Sequence, residues 1–215
     1  MQIAIDGPAG VGKSTLAKAL AKHTGYIYID TGAMYRAVAL LAKRNGVAAE
    51  EGEALTNLLN GLLLQFKTVE DKKCLFNHEE NIEDEIRQPE ISKIVSAYAK
   101  LESVRRALTE QQRHIAEENS VIMDGRDIGT VVLPNADYKF YIVASVEERA
   151  RRRFLELKNK GIEQDYDELV KDIASRDYQD ATRKIAPLRK ADDAILIDTD
   201  NLNEKEVLEK IIEII

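Results

Sequence analysis

Residues 7–14 read Gly-Pro-Ala-Gly-Val-Gly-Lys-Ser and fit G-x-x-x-x-G-K-[ST] at every fixed position. That spacing specifies a chemistry. Glycines at 7, 10 and 12 allow the tight bend that turns successive backbone N–H groups onto phosphate oxygens. Lys13 has the reach for β- and γ-phosphates, and the Ser14 hydroxyl is a hard oxygen ligand suited to Mg²⁺. QIAID before the loop suits a buried strand, and TLAKALAKH after it is helix-forming, so the helix adds its positive N-terminal end. Gly7, Pro8, Ala9, Gly10, Val11, Gly12, Lys13, Ser14 and Thr15 are therefore expected to bind a nucleoside triphosphate with Mg²⁺.

A second set of charges asks for a second anion. SVIMD (120–124) ends in Asp124 like a Walker B strand and runs directly into Gly125-Arg126-Asp127-Ile128-Gly129. An arginine two residues past a strand end points to the crevice where open α/β sheets bind ligands. Arg36, Arg105, Arg176 and Arg183 join Arg126, and Arg149, Arg151, Arg152 and Arg153 crowd one helical segment. Arginine offers a planar fork that grips phosphate oxygens bidentately and stays charged at any working pH. No Asn-Lys-x-Asp guanine-reading segment occurs.

The elements that must position these residues are legible as short apolar runs at 2–6, 26–30, 120–124, 138–143 and 194–198. Helical pattern separates each from the next, which predicts a parallel sheet covered on both faces. The first helix is expected to stop at Gly25, a C′ glycine. A second follows Thr31 and Gly32, with Met34, Ala37, Val38 and Leu41 on one face, and ends before Gly46. Ser145-Val-Glu-Glu148 has the form of a capping box opening a helix that ends near Gly161. Between 60 and 90 the alternation breaks: LLLQFKTV, KCLFNHEEN and the stretch to IEDEIR predict three short strands. There Glu79, Glu80, Glu83, Asp84 and Glu85 read as a solvated face and not a metal site.

Composition narrows the class. At 215 residues, 44% hydrophobic and 32% charged, the chain is an ordinary globular domain. One cysteine, Cys74, excludes an internal disulfide, and with His23, His78 and His114 scattered no structural zinc is expected. No signal-like segment or membrane-length apolar run is present, so a cytoplasmic protein is expected. A net charge of −7 argues against nucleic-acid binding.

GPAGVGKST (7–15), DTGAMYRA (30–37), DGRDIGTVV (124–132), RARRR (149–153) and SRDYQDATRKIAPL (175–188) together closely resemble the bacterial cytidylate kinases. The resemblance spans essentially the whole chain, and the segments GRDIGTVV and SRD…R…APL are more specific to that family than the phosphate loop. It implies an α/β fold: a P-loop NTPase-type five-stranded parallel sheet flanked by helices, a monophosphate-binding region carrying a small β-insert, and a helical lid. The implied division is core 1–30, monophosphate-binding region 31–115 with the insert at about 60–90, core 116–148, lid 149–180 and core 181–215. The implied reaction is transfer of the ATP γ-phosphate to CMP or dCMP by a monomeric enzyme. Carried over by position, Thr31, Arg36, Arg126 and Arg183 surround the acceptor phosphate. Ser96, Arg105 and Asp127 read the cytosine, and Arg176 and Asp180 hold the sugar. Thr31 stands where some relatives have serine, and the hydroxyl is kept. Lys13, Arg126 and Arg183, with Arg152 and Arg153 from the lid, form the implied catalytic set.

The chemistry of cytosine suits that assignment. Asp127 as acceptor and Arg105 as donor complement the N4 amino group and the N3 and O2 acceptors, whereas uracil sets O4 against the carboxylate. Leaving such a group unpaired costs roughly 1–3 kcal/mol, so CMP is expected to beat UMP at least about tenfold. Ser96 and Arg105 are about half a turn out of phase on one straight helix, which predicts a break near 101–103 with Ser103 as the new cap. Two rivals remain open: a P-loop kinase of another small acceptor (UMP, AMP or shikimate), and a nucleotide-dependent switch.

Overall fold

A computed structural model describes residues 1–70, 72–159 and 161–215. The chain begins with β1 (Gln2–Asp6), α1 (Lys13–Thr24), β2 (Ile27–Asp30), α2 (Thr31–Arg44) and α3 (Glu53–Asn60). It continues through β3 (Leu64–Val69), β4 (Lys72–Asn77), β5 (Glu80–Asn81), α4 (Glu83–Ile86), α5 (Pro89–Ala99) and α6 (Glu102–Glu118). It closes with β6 (Val121–Gly125), a π-helix (Ile128–Val132), β7 (Tyr138–Val143), α7 (Val146–Asn159), α8 (Tyr166–Thr182), β8 (Ile195–Asp198) and α9 (Glu204–Ile212). These elements form two compact units, residues 1–28 with 118–215, and residues 29–117.

The first unit is built on the expected five-stranded parallel sheet, in the order β2-β6-β1-β7-β8. Ile3, Ala4 and Ile5 on β1 and Val121, Ile122 and Met123 on β6 are completely buried on successive positions, as strands covered on both faces require. Ile3, Ile5, Phe140 and Ile142 pack with Leu16, Ala17 and Leu20 of α1 and Val207 and Ile211 of α9. Helix α1 ends at Gly25, whose φ of 76° places it in the left-handed region, as expected for a C′ glycine. The register pairs Ile5 with Asp124 and Asp6 with Gly125, so the phosphate loop and the Gly-Arg-Asp segment leave the sheet side by side.

Two local expectations are corrected here. The capping box at Ser145 is only half formed: Ser145 Oγ accepts from the Glu148 N–H at 3.2 Å. The Ser145 N–H donates instead to Asp200 Oδ1, because Glu148 is taken by Arg151 and Arg152. A reciprocal box does occur, at Asn203 and Glu206, opening α9.

The second unit packs α2 against α5, α4 and α3. Its central helix is buried more widely than one face, since Ala37 through Ala42 are all buried. The insert is an antiparallel sheet of order β3-β4-β5, but its third strand is only Glu80–Asn81. IEDEIR is not a strand: Glu83–Ile86 forms a short helix, with three acids in its first turn complementing the helix dipole. Glu80 and Glu85 both pair with Arg44 at the C-terminal end of α2, and Glu79 pairs with Lys67.

Helices α5 and α6 are separate, as the phasing of Ser96 and Arg105 requires. Ser103 is not the cap, however. It lies inside the first turn of α6, and its N–H donates to Glu51 Oε1 at 3.1 Å, so a carboxylate from a distant loop performs the capping.

Candidate active site

Strand β1 delivers the chain into the loop at Gly7, where only glycine fits: an added Cβ would lie 2.1 Å from the Ile142 carbonyl oxygen. The loop ends at Gly12, and no described side chain caps α1 or places an acid in its first turn. Its N–H groups and dipole are thus left for an anion. Lys13 is 5% exposed, and its ammonium donates to the Pro8 carbonyl at 2.6 Å, within the loop it serves. Burial first, and then the Arg126 guanidinium with a smaller contribution from Arg176, hold its pKa well below the usual lysine value despite Asp124 and Asp6 nearby.

Ser14 Oγ donates to Asp124 Oδ2 at 2.8 Å, and the Tyr28 hydroxyl donates to Asp124 Oδ1 at 2.9 Å. A hydroxyl and a carboxylate in contact beside the phosphate loop form a hard-oxygen pair that fits Mg²⁺.

The Gly-Arg-Asp segment meets the end of α8 in a ring of alternating charge. Arg126 Nε donates to Asp180 Oδ2 at 2.8 Å, and Arg183 Nη1 lies 3.7 Å from Asp180 Oδ1. Arg183 Nη2 donates to Asp127 Oδ1 at 3.2 Å, while its Nε is held by the Ala186 carbonyl at 2.7 Å. The structure therefore brings Arg126, Asp127, Asp180 and Arg183 together, with Arg176 close enough to act on Lys13.

In the other unit, Asp30 ends β2 and caps α2, accepting from the Ala33 N–H at 2.8 Å. The next residue, Thr31, is 2% exposed in the first turn. Arg36 turns back to Asp30 Oδ2 at 3.1 Å, and Arg87 reaches the same oxygen at 2.9 Å. Burial alone would raise the Asp30 carboxyl, but Arg36, Arg87 and the Ala33 amide outweigh it and hold the group below the usual range. Arg105 is 4% exposed, lies over the Tyr35 ring, and donates to the Ala99 carbonyl at 2.9 Å. It reaches across the helix break to the end of α5, one turn beyond the half-buried Ser96.

The expected lid arginines are engaged with protein groups. Arg152 donates to Glu148 Oε1 and to the Thr199 carbonyl, both at 2.8 Å, and Arg153, half exposed, pairs with Glu156 at 2.8 Å. Arg151 and then Arg152 push the Glu148 carboxyl down to about 2. Sequence reasoning gave no part to Arg149, which is the buried member of the run. It donates to Ala9 O of the phosphate loop at 2.9 Å, to the Ala144 and Ser145 carbonyls, and to Asp177 of α8. Asp6, Asp30 and Arg87 were also missed. Asp6 and Asp30 did carry a signal, since each is a polar residue ending an apolar strand; Arg87 carried none.

Comparison with known proteins identifies the family. The cytidylate kinase family model matches residues 3–215. A cytidylate kinase of Caldicellulosiruptor bescii is 49% identical over 214 residues, covering 100% of this chain and 95% of the relative. One of Lactobacillus johnsonii is 50% identical over 215 residues, covering 100% and 94%. Among solved structures, a shikimate kinase of Bacteroides thetaiotaomicron superposes with a TM-score of 0.51 at 12% identity, covering 100% of this chain and 97% of that one, which shows a shared fold. An uncharacterized protein of Eubacterium ventriosum gives 0.53 at 15% identity, covering 100% and 97%. With its phosphate loop, its Gly-Arg-Asp ring and a full-length match at half identity, the chain belongs to the cytidylate kinase family.

Proposed function

We propose that the chain transfers the γ-phosphate of ATP to CMP or dCMP, giving ADP and CDP or dCDP by direct in-line displacement. The observation that carries this reading is the Arg126–Asp180–Arg183–Asp127 ring, built beside a phosphate loop by the β1–β6 register. A protein that only bound and hydrolysed a triphosphate has no use for such a second receptor, and the relatives at half identity bear the name cytidylate kinase.

Phosphoryl transfer asks the protein mainly to position two anions and to stabilise charge on the moving group. Gly7 to Thr15 hold the ATP phosphates, and Lys13 neutralises the γ-phosphoryl oxygens. A bound polyanion offsets the repulsion from Arg126 and Arg176 that adds to burial in depressing the Lys13 ammonium. Ser14 and Asp124 would hold Mg²⁺, which would offset the negative charge of the phosphates. Arg126, Arg183, Thr31 and Arg36 serve the acceptor phosphate. Arg183 orients the Asp127 carboxylate for the cytosine amino group, Ser96 and Arg105 complete the reading of the base, and Arg176 and Asp180 hold the sugar. Residues 31–115 act as the monophosphate-binding region and 149–180 as a lid. Arg152 and Arg153 leave their carboxylate partners for the transferring phosphoryl group when that lid closes.

We place the enzyme in the cytoplasm as a monomer without nucleic-acid or membrane partners. Among the described residues no helix is long and apolar enough to cross a membrane. The test is ADP release from Mg-ATP with CMP, dCMP, UMP, AMP, GMP or shikimate, beside a blank without acceptor. Strong release confined to CMP and dCMP is expected. Preference for another acceptor, or release indifferent to acceptor, contradicts the reading.

A further inference from the structure

Asp6 is the last residue of β1, is 4% exposed, and directly precedes Gly7 of the phosphate loop. The hydrogen bonds of its carboxylate go to another segment. Oδ1 accepts from the Ile128 N–H at 2.8 Å and Oδ2 from the Gly129 N–H at 2.7 Å, the first two amides of the π-helix that follows Asp127. A buried carboxylate satisfied by two adjacent backbone amides is a rigid bidentate clamp, because neither oxygen can rotate away without orphaning an amide.

The π-helix turns are closed by Asp127 itself, whose carbonyl accepts from the Val131 and Val132 amides at 2.9 and 3.2 Å. Fixing residues 128 and 129 therefore fixes the Asp127 backbone, and Arg183 fixes its side chain. Gly129 sits where an added Cβ would stand 3.1 Å from Lys139 Cδ, a tight approach, and in ordinary contact with Asp6 Oδ2 at 3.4 Å. The Lys139 ammonium donates to the Pro134 carbonyl and to Asp193.

We infer that Asp6 is a positioning residue for acceptor selection, holding the Arg126–Asp127 pair in fixed register with the phosphate loop. The inference rests on the proposed reading of Asp127 as a reader of cytosine. An amide at position 6 cannot replace the clamp, since its NH₂ would face one of the two N–H donors.

The test compares wild type, Asp6→Asn and Gly129→Ala in the same Mg-ATP assay, with CMP and UMP as acceptors. Gly129→Ala keeps the carboxylate and crowds Lys139 beside the clamped amide, so it serves if Asp6→Asn does not fold. Each variant that folds is expected to raise KM for CMP and lower the CMP:UMP ratio of kcat/KM, both by about tenfold, with KM for ATP within about threefold. A general packing role would instead move both KM values and kcat together. Selectivity unchanged in the folded variants overturns the clamp alone, whereas wild-type protein inactive with CMP overturns the clamp and the reading beneath it.

Discussion

The chain passes from strand to helix twice within its first 31 residues, each time through an aspartate, and the two junctions are solved in opposite ways. At β2–α2 the aspartate caps the helix it introduces and collects two guanidiniums, so the junction is electrostatically complete. At β1–α1 the aspartate turns away to clamp a different segment, no described side chain caps α1, and the buried Lys13 has arginines as well as aspartates beside it. The pKa directions record the contrast: Asp30 is held down, whereas burial first, with Asp127 adding to it, pushes Asp6 up to about 6 against the Ile128 and Gly129 amides and Lys13. The lesson is that an incomplete junction marks where a polyanion completes the charge balance, and a complete one marks where the scaffold holds itself.

Lys13→Ala tests that contrast most severely. Turnover is expected to fall about a thousandfold or more, with thermal stability nearly unchanged, since the ammonium is poorly compensated in the fold. Steady-state kinetics beside a melting curve decides, and activity within a few-fold of wild type removes Lys13 from the chemistry. Arg183→Ala is expected to cost about a hundredfold in kcat/KM for CMP, because it removes a phosphate donor and releases Asp127. Equal losses for CMP and UMP would separate the phosphate role from the base role.

At the completed junction the expected loss is in stability. Asp30→Asn keeps the cap but drops both ion pairs, at about 2 kcal/mol. The value is below the roughly 3–5 kcal/mol of a broken buried pair because Arg87 is 42% exposed. Asp127→Ala is expected to lower the CMP:UMP ratio about tenfold while leaving KM for ATP near wild type. An unchanged ratio removes Asp127 from base reading.

The pH dependence is the most diagnostic. The stabilisation from Asp30 is present above the unfolded carboxylate pKa near 4 and lost as pH falls through its depressed folded value, so wild type and Asp30→Asn converge in acid. Asp6 has the opposite sign: its raised pKa means stability falls as pH rises from about 4 to 6, by about 3 kcal/mol at most. Wild type and Asp6→Asn should therefore show a stability difference that changes across pH 4–6 in the reverse sense. Denaturant titrations at several pH values measure both, and slopes of the same sign would undo the comparison.

How much of this was legible follows from range. The phosphate loop, the five strands and the α5–α6 break are local periodicities, and they stand where the sequence placed them. The stretch at 82–87 looked like a strand but is helical, because its acids favour a helix N-terminus over pairing with β4. The pairings that position the site join residues far apart in the chain, such as Asp6 with Gly129, Asp30 with Arg87 and Arg149 with Ala9. Nothing local distinguishes Arg149 from its neighbours in an arginine run, since only the packed helix shows which member is buried. Ser103 carried a capping signal that the tertiary structure overrode through Glu51.

The central claim is transfer to CMP, and ³¹P NMR of the reaction mixture tests it most directly. With Mg-ATP and CMP, CDP and ADP should appear in equal amounts with no free phosphate, and without CMP the ATP should persist. Accumulation of inorganic phosphate while CMP remains unchanged would contradict the account.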